Sequence, residues 1–292
     1  MYRMPVNQFT DEQAHEVLMD RRKVLPLDFI QKRSPSIFSD KAGSMTSSRY
    51  NFIPTSAVLE IMQSQGWLPV SVGEQRVRTE AREGFQRHTL RFRNFDKPLV
   101  FNGSTVEMVL VNSHDGKCAY QIHAGLFRLV CLNGMVVSDS LFNTLRVRHQ
   151  GNLNQDFIDV SAKVIENVPK IAHEIGAFSK LELSREEKEA FSKAALQLRW
   201  PQETPQNTAP IPADRLLHTR RIADQKNDLY TTFNTVQENL IRGGLPGKTQ
   251  AGKRTRTREV KGISENIKLN KALWTLAQEM EAIKTGRILI AA

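Results

Sequence analysis

Three pairs of arginines, Arg76/Arg78, Arg91/Arg93 and Arg146/Arg148, stand two residues apart in stretches of strand-like composition. Side chains at i and i+2 of a strand leave the same face, so each pair would present two guanidiniums together. A guanidinium stays charged at any cellular pH and holds a phosphate through parallel hydrogen bonds. If the strands share a sheet and the faces coincide, six such groups form one phosphate-binding surface. The bland alternative is solvated strand edges, some balanced by Glu74, Glu80 or Glu83. A second basic tract, GGLPGKTQAGKRTRTREVK over 243–261, carries Lys248, Lys253, Arg254, Arg256, Arg258 and Lys261 against Glu259 alone. Its glycines predict a mobile loop that orders on a polyanion. Gly247-Lys248-Thr249 imitates the end of a P-loop. Arg242 stands where the first glycine of that motif is required, and the tract follows a helix rather than a strand, so nucleotide hydrolysis is excluded.

Groups for covalent or acid–base chemistry are sparse. His88, His123 and His149 are scattered, and His114-Asp115 sits in one short turn, where turn geometry accounts for both. The acids Glu60, Glu74, Glu80, Glu83, Asp96, Glu107, Asp115 and Asp139 show no repeated spacing, whereas a metal-dependent nuclease needs carboxylates converging on an ion. Cys118 and Cys131 fall in expected strands as small hydrophobes and have neither disulfide nor zinc spacing. The expectation is a non-enzymatic protein with no catalytic residue, metal or cofactor, in a reducing cytoplasm. For base stacking beside the cations, Tyr50 and Phe85 are the candidates; Phe92, between Arg91 and Arg93, points to the opposite face and into a core.

The elements that must position these residues are organised around Val106–Gly134, two apolar runs joined by the polar turn Asn112–Lys117. Asp115-Gly116 is a turn dipeptide because glycine takes the positive φ a tight hairpin needs. Before it, Asp11–Arg22 reads as an amphipathic helix capped by Thr10, Pro26–Arg49 as an aperiodic arm, and Thr55–Gln65 as a helix stopped by Gly66. Strands are expected at Trp67–Arg78, Arg87–Phe95, Thr105–Val111 and Cys118–Val130, with further short ones at Met135–Val137 and Leu141–Arg148. After Gly151 the period becomes helical. Phe157, Val160, Val164, Val168, Ile171, Ile175 and Phe178 share a face, with Pro169 expected to kink or divide that helix. Ser184–Glu187 is a capping box, Asp214–Arg242 is helical, and a last helix covers Ser264–Lys284. The fold class is α+β: a helix and a mostly antiparallel sheet over 1–150, then a helical half over 151–292 with a Pro-rich linker at 200–212 and the basic loop at 243–261.

A net charge of +10 with a pI near 9.7 favours an anionic partner, nucleic acid being the commonest. No apolar run is long enough for a membrane span, and the first residues lack the apolar core of a signal peptide, so no membrane is expected. The stretches SRYNFIPTSAVLEIMQSQGW (48–67), VLVNSHDGKCAYQIHAGLFRLVCLNG (109–134), NDLYTTFNTVQENLIRGG (227–244) and REVKGISENIKLNKALW (258–274) resemble a family of phage and plasmid proteins of unknown function. That resemblance implies a mobile-element origin and a life in the host cytoplasm, and brings no catalytic residue with it. Element order and charge placement are also similar to the single-strand annealing proteins of the Red-beta and Erf types, which would imply binding of single-stranded DNA in a basic groove and assembly into rings or filaments. The expected function is therefore single-stranded DNA binding or annealing in recombination. Arg76, Arg78, Arg91, Arg93, Arg146 and Arg148 would hold phosphates, helped by Lys253, Arg254, Arg256 and Arg258. The alternatives are an anti-defence protein that binds a host protein and a metal-dependent nucleic-acid enzyme.

Overall fold

The computed structural model describes residues 11–47, 50, 52–101, 103–118, 120–128, 134–136, 145–146, 153–201, 209–221 and 224–287. Two compact units form, one within Phe9–Pro169 and the other within Lys170–Ala292. The fold is α+β, with an antiparallel sheet and its preceding helices in the N-terminal half and helices in the C-terminal half. Among the described residues no helix is long and apolar enough to cross a membrane.

The N-terminal unit begins with α1 (Asp11–Leu18), α2 (Leu27–Arg33) and α3 (Thr55–Ser64). The strands are β1 (Trp67–Glu74), β2 (His88–Asn94), β3 (Val100–Phe101), β4 (Ser104–Asn112), β5 (Gln121–Arg128), β6 (Gly134–Val136) and β7 (Leu145–Arg146). They form one antiparallel sheet in the order β1-β2-β4-β5-β6, with β3 paired to β4 and β7 to β5. Register places Leu90 beside Leu110 and Ile122, and Phe92 beside Met108 and Ala124. All six are buried, and each large apolar side chain so buried contributes about 1.5–3 kcal/mol. On the other face Phe127 packs against Ala14 and Leu18 of α1. The 3.6-residue spacing of Val58, Leu59 and Met62 buries one side of α3, and Gly66 at φ +78° ends that helix.

Several elements depart from the sequence expectations. The helix expected over Asp11–Arg22 stops at Leu18, and Arg21–Lys23 is a separate 3₁₀ turn; the cap expected at Thr10 lies outside the described residues. The aperiodic arm contains α2 and a 3₁₀ turn at Pro35–Phe38, with Ile30 and Ile37 fully buried. β1 ends at Glu74 instead of Arg78: its partner strand begins at His88, opposite Glu74, and beyond that pair only the Gln75 N–H bonds across, to the Arg87 carbonyl at 2.8 Å. Cys118 belongs to the turn and not to a strand: Asp115 accepts hydrogen bonds from the Lys117 N–H and the Ser113 hydroxyl, and pairing starts only at Gln121. Gly116 supplies the positive φ (+73°) of that turn. Cys131 lies outside the described residues.

The remaining elements are α4 (Leu153–Lys180), α5 (Arg185–Arg199), α6 (Leu229–Arg242), β8 (Pro246–Lys248), β9 (Arg254–Arg256) and α7 (Ile263–Lys284). Pro169 lies inside α4 without dividing it; a proline removes one backbone donor, and the flanking turns carry the helix through. The capping box opens α5 as expected, Ser184 and Glu187 each receiving the other's backbone N–H. Between α5 and α6, Ala213–Leu217 is a 3₁₀ turn, so the helix expected from Asp214 begins only at Leu229.

Every residue of α6 from Leu229 to Ile241 is buried. Its apolar side chains meet Trp274 of α7 through Phe233, edge to face at 5.8 Å. Its amides are bonded: Gln237 donates to Asn270 at 2.9 Å, and Asn239 donates to the carbonyls of Leu216 and His218 at 2.8 Å each. Buried amides need such partners, because an unmet one costs about 1–3 kcal/mol.

The basic tract over 243–261 is not an irregular loop. It forms the hairpin β8–β9, closed by hydrogen bonds between Thr249 and Lys253. Alternation of Arg254, Thr255 and Arg256 suits a strand, and docking supplies the rest. The Lys248 N–H donates to the Pro210 carbonyl, and Gly244 and Leu245 exchange backbone bonds with Thr257. The chain leaves α6 at Gly243 (φ 63°, ψ −144°), where an added Cβ would lie 2.6 Å from the carbonyl oxygens of Thr257 and Arg258. Gly243→Ala should therefore cost roughly 2–4 kcal/mol, combining a glycine-only backbone conformation with a clash against fixed backbone. A thermal melt checks this, with Gly252→Ala as the comparison: it shares a positive φ but meets open space.

Candidate functional site

The two arginines of β2 are turned onto a buried carboxylate. Arg91 and Arg93 share a face of β2, as their spacing requires, and both turn onto Glu107 of β4, Arg91 through Nε at 2.6 Å and Arg93 through Nη2 at 2.7 Å. Glu107 is 1% exposed and Arg93 3% exposed. Both guanidiniums also lie over the Phe127 ring, at 4.6 and 5.3 Å, and Arg93 donates to the Leu18 carbonyl at the end of α1. A phosphate would have to displace a buried carboxylate to reach them. The signal for this was present in the sequence, since Glu107 interrupts the apolar run VEMVLV. Phe92, between the pair, is fully buried as expected, while Tyr50 and Phe85 are half-buried. Arg76 and Arg78 are exposed on the loop after β1, not in a strand. Arg146 is in β7, opposite Gln121, and Arg148 lies outside the described residues. Arg76 and Arg78 on a loop and Arg91 and Arg93 on a buried carboxylate therefore do not make one row.

Two of the histidines, His88 and His114, belong to one buried network. The Thr55 hydroxyl lies 2.9 Å from His88 Nε2 and 3.3 Å from His114 Nε2, and it accepts from Asn112 at 3.0 Å. On the other ring nitrogen of His88 lie the Ser36 hydroxyl, at 2.8 Å, and the Gln86 carbonyl, at 3.1 Å. Ser36 also donates to Glu74 at 2.5 Å. Ser36, His88 and His114 are all fully buried. Desolvation, reinforced for His88 by the neighbouring His114, lowers His88 to about 3 and His114 to about 4. Asp115 is different. Burial would raise its carboxyl, but hydrogen bonds from Ser113, Arg82 and the Lys117 N–H outweigh it and hold the carboxyl below its ordinary value. Among the described residues no group of three or more His, Cys, Asp or Glu side chains could hold a metal.

The hairpin adds further exposed cations. Lys253, Arg254, Arg256 and Arg258 are all exposed. Register puts Lys248 opposite Arg254 and Pro246 opposite Arg256, so Lys248, Arg254 and Arg256 leave one face of the two strands. With Pro246, Gly247 and Thr255 they line a cleft of about 680 Å³, to which Pro210, Pro212 and Arg215 also contribute. Among the described residues no carboxylate lines it. Its rear is braced from α5 and α6. Arg199 stacks on Trp200 at 4.6 Å and donates to the carbonyls of Leu240 and Arg258, while Arg220 donates to the Gly243 carbonyl at 2.6 Å. Arg221 holds Glu238 through two bonds of 2.6 and 2.7 Å. Sequence reasoning identified Arg254 and Arg256 but missed Arg215 and the prolines, which only the docking of Lys248 on Pro210 brings alongside.

Two outcomes follow from the buried groups. Glu107→Ala leaves two guanidiniums facing each other without a counter-ion and should cost about 3–5 kcal/mol in a denaturant melt, whereas Arg258→Ala at the surface should change stability by less than about 0.5 kcal/mol. The histidines set an acid dependence. Their pKa values are lower in the folded than in the unfolded chain, so the unfolded state takes up protons first. Stability should be at full value above about pH 6.5 and fall as pH drops toward 4 and then 3, each pKa unit between folded and unfolded chain being worth about 1.4 kcal/mol per histidine. Melts of the protein and of His88→Gln across that window measure the slope.

No solved structure matches the chain. Two proteins of Escherichia coli (strain K12) are similar to it: the UPF0380 proteins YfjQ and YafZ are each 35% identical over 263 residues, spanning 90% of this chain and 94% of theirs. Residues 43–274, from the arm before α3 to Trp274 in α7, match a single family model and contain both the sheet and the hairpin cleft. By that span and that identity, the chain belongs to the family described as a domain of unknown function, DUF932.

Proposed function

We propose that the protein binds single-stranded nucleic acid, with the sugar–phosphate backbone held in the hairpin cleft. Arg215, Lys248, Arg254 and Arg256 line the cleft and contact the phosphates, and exposed Lys253 and Arg258 extend the basic surface. The observation that carries this reading is a concave surface with four cationic side chains and, among the described residues, no carboxylate, in a chain of net charge +10. A cleft of about 680 Å³ is the size of a small-molecule pocket, so a flexible strand enters where a duplex cannot. Pro210, Pro212 and Pro246 offer flat apolar surfaces against which bases or sugars pack without hydrogen bonds, which makes the reading independent of sequence. Cations on the backbone with base edges left open are what a protein of annealing or recombination needs, and multiple copies along a strand would serve such a role.

The test is the affinity for a labelled single-stranded oligonucleotide as a function of salt. With four to six phosphates neutralised, at roughly 0.7 per phosphate, the log affinity should fall with log salt at a slope of about −3 to −4. Arg254→Ala/Arg256→Ala should weaken binding at least tenfold and reduce the slope by about 1.4, while its melting temperature stays unchanged. A flat salt response, or equal binding by that variant, would remove the proposal. Capture of a folded host protein that survives Arg254→Ala/Arg256→Ala, with no oligonucleotide binding, would replace it with a protein-interaction role.

A further inference from the structure

Resting on the nucleic-acid reading of the hairpin, we propose that the indole of Trp200 is the platform on which one unpaired base of the bound strand stacks. The chain has three tryptophans. Trp67 and Trp274 are fully buried, whereas Trp200, the residue that closes α5, is half-buried. Its backbone N–H donates to the Leu196 carbonyl, a capping bond that almost any residue would make, so the cap does not account for an indole. The guanidinium of Arg199 lies over the ring at 4.6 Å. That guanidinium is itself fixed, because it donates to the carbonyls of Leu240, in α6, and Arg258. Glu265, in the first turn of α7, supports its charge.

Two features suit this ring to a base. The first is where it stands. Thr257 continues the pairing of β9 through its bonds with Gly244 and Leu245, so the alternation that exposes Arg254 and Arg256 carries on to Arg258, which is also exposed. Arg199 bridges from the Arg258 carbonyl to the Trp200 ring, and the indole therefore lies beside the end of the cation row. A strand whose phosphates follow that row brings a base to the ring. The second feature is how the ring is held. One guanidinium spans two carbonyls and the indole, so the platform is set before a ligand arrives and little side-chain freedom is lost on binding. The cation takes one face, and a base on the exposed part of the ring gives guanidinium, indole and base in series. Stacking asks only for a π-face, which every base has, so sequence is not read. In a duplex the bases are already stacked on one another, and the platform favours unpaired strands.

The experiment gives the full chain two labelled single strands of equal length, oligo(dT) and a strand that is abasic throughout. The phosphates are the same, so the hairpin cations hold both, and only the first can stack. The protein should bind oligo(dT) at least about fivefold tighter than the abasic strand. Its tryptophan fluorescence should be quenched by oligo(dT) and not by the abasic strand, since Trp67 and Trp274 are fully buried. Trp200→Leu, which keeps an apolar side chain on Arg199 without a π-face, should bind both strands alike, with the salt slope and melting temperature of the unaltered protein. Trp200→Phe should keep most of the preference. Equal binding of the two strands by the unaltered protein, or a preference that survives Trp200→Leu, would overturn the inference and leave the cation reading of the cleft standing. Failure of both strands to bind would instead remove the cleft reading, and the platform with it.

Discussion

A carboxylate in the middle of a sheet cannot stand alone, and the N-terminal unit is arranged around one. Glu107 sits on the central strand β4 with almost no exposure, where an unpaired charge would carry a desolvation penalty of several kcal/mol. Two arginines from the neighbouring strand satisfy it, and one of them reaches on to the last carbonyl of α1. Sheet, helix and the Phe127 ring are thereby tied at one point. Replacing the three charges with apolar groups could give comparable stability; what the ions fix is register, since a one-residue slip of β2 would carry both guanidiniums to the opposite face.

The same i, i+2 arginine spacing has opposite outcomes at its different positions, and the reason is tertiary. In β2 the flanking residues Leu90 and Phe92 are buried and a carboxylate waits across the ladder, so the arginines become structural. In β9 the alternating residues are threonines, the partner strand has three residues and no acid, and the arginines stay in solvent. Spacing alone says that two side chains share a face. It does not say whether that face is covered.

The main strands and the central turn were legible because alternation of apolar residues and the Asp-Gly dipeptide are local signals. The helices α3, α5 and α7 were legible for the same reason, through period and capping. The end of β1 was not, because it depends on where β2 begins to pair. The cleft was half-legible: its arginines stand out in composition, but Arg215 and Pro210 are more than thirty residues upstream and arrive through backbone docking. The histidine network was invisible, since Ser36, Thr55, His88 and His114 are distant in sequence and none departs from ordinary loop or strand composition.

The seat of the hairpin has an implication for how such a protein could diversify. Gly247 passes so close to Pro210 that a Cβ would lie 2.1 Å from its carbonyl oxygen, and that carbonyl takes the N–H of Lys248. One wall of the cleft is thus hung from the Pro-rich connection rather than from a helix. Lengthening or shortening that connection would raise or lower the wall against a fixed row of cations, changing the bore of the cleft while its charge stays constant. A stretch that looks like passive linker is then a gauge that sets the width of the cleft.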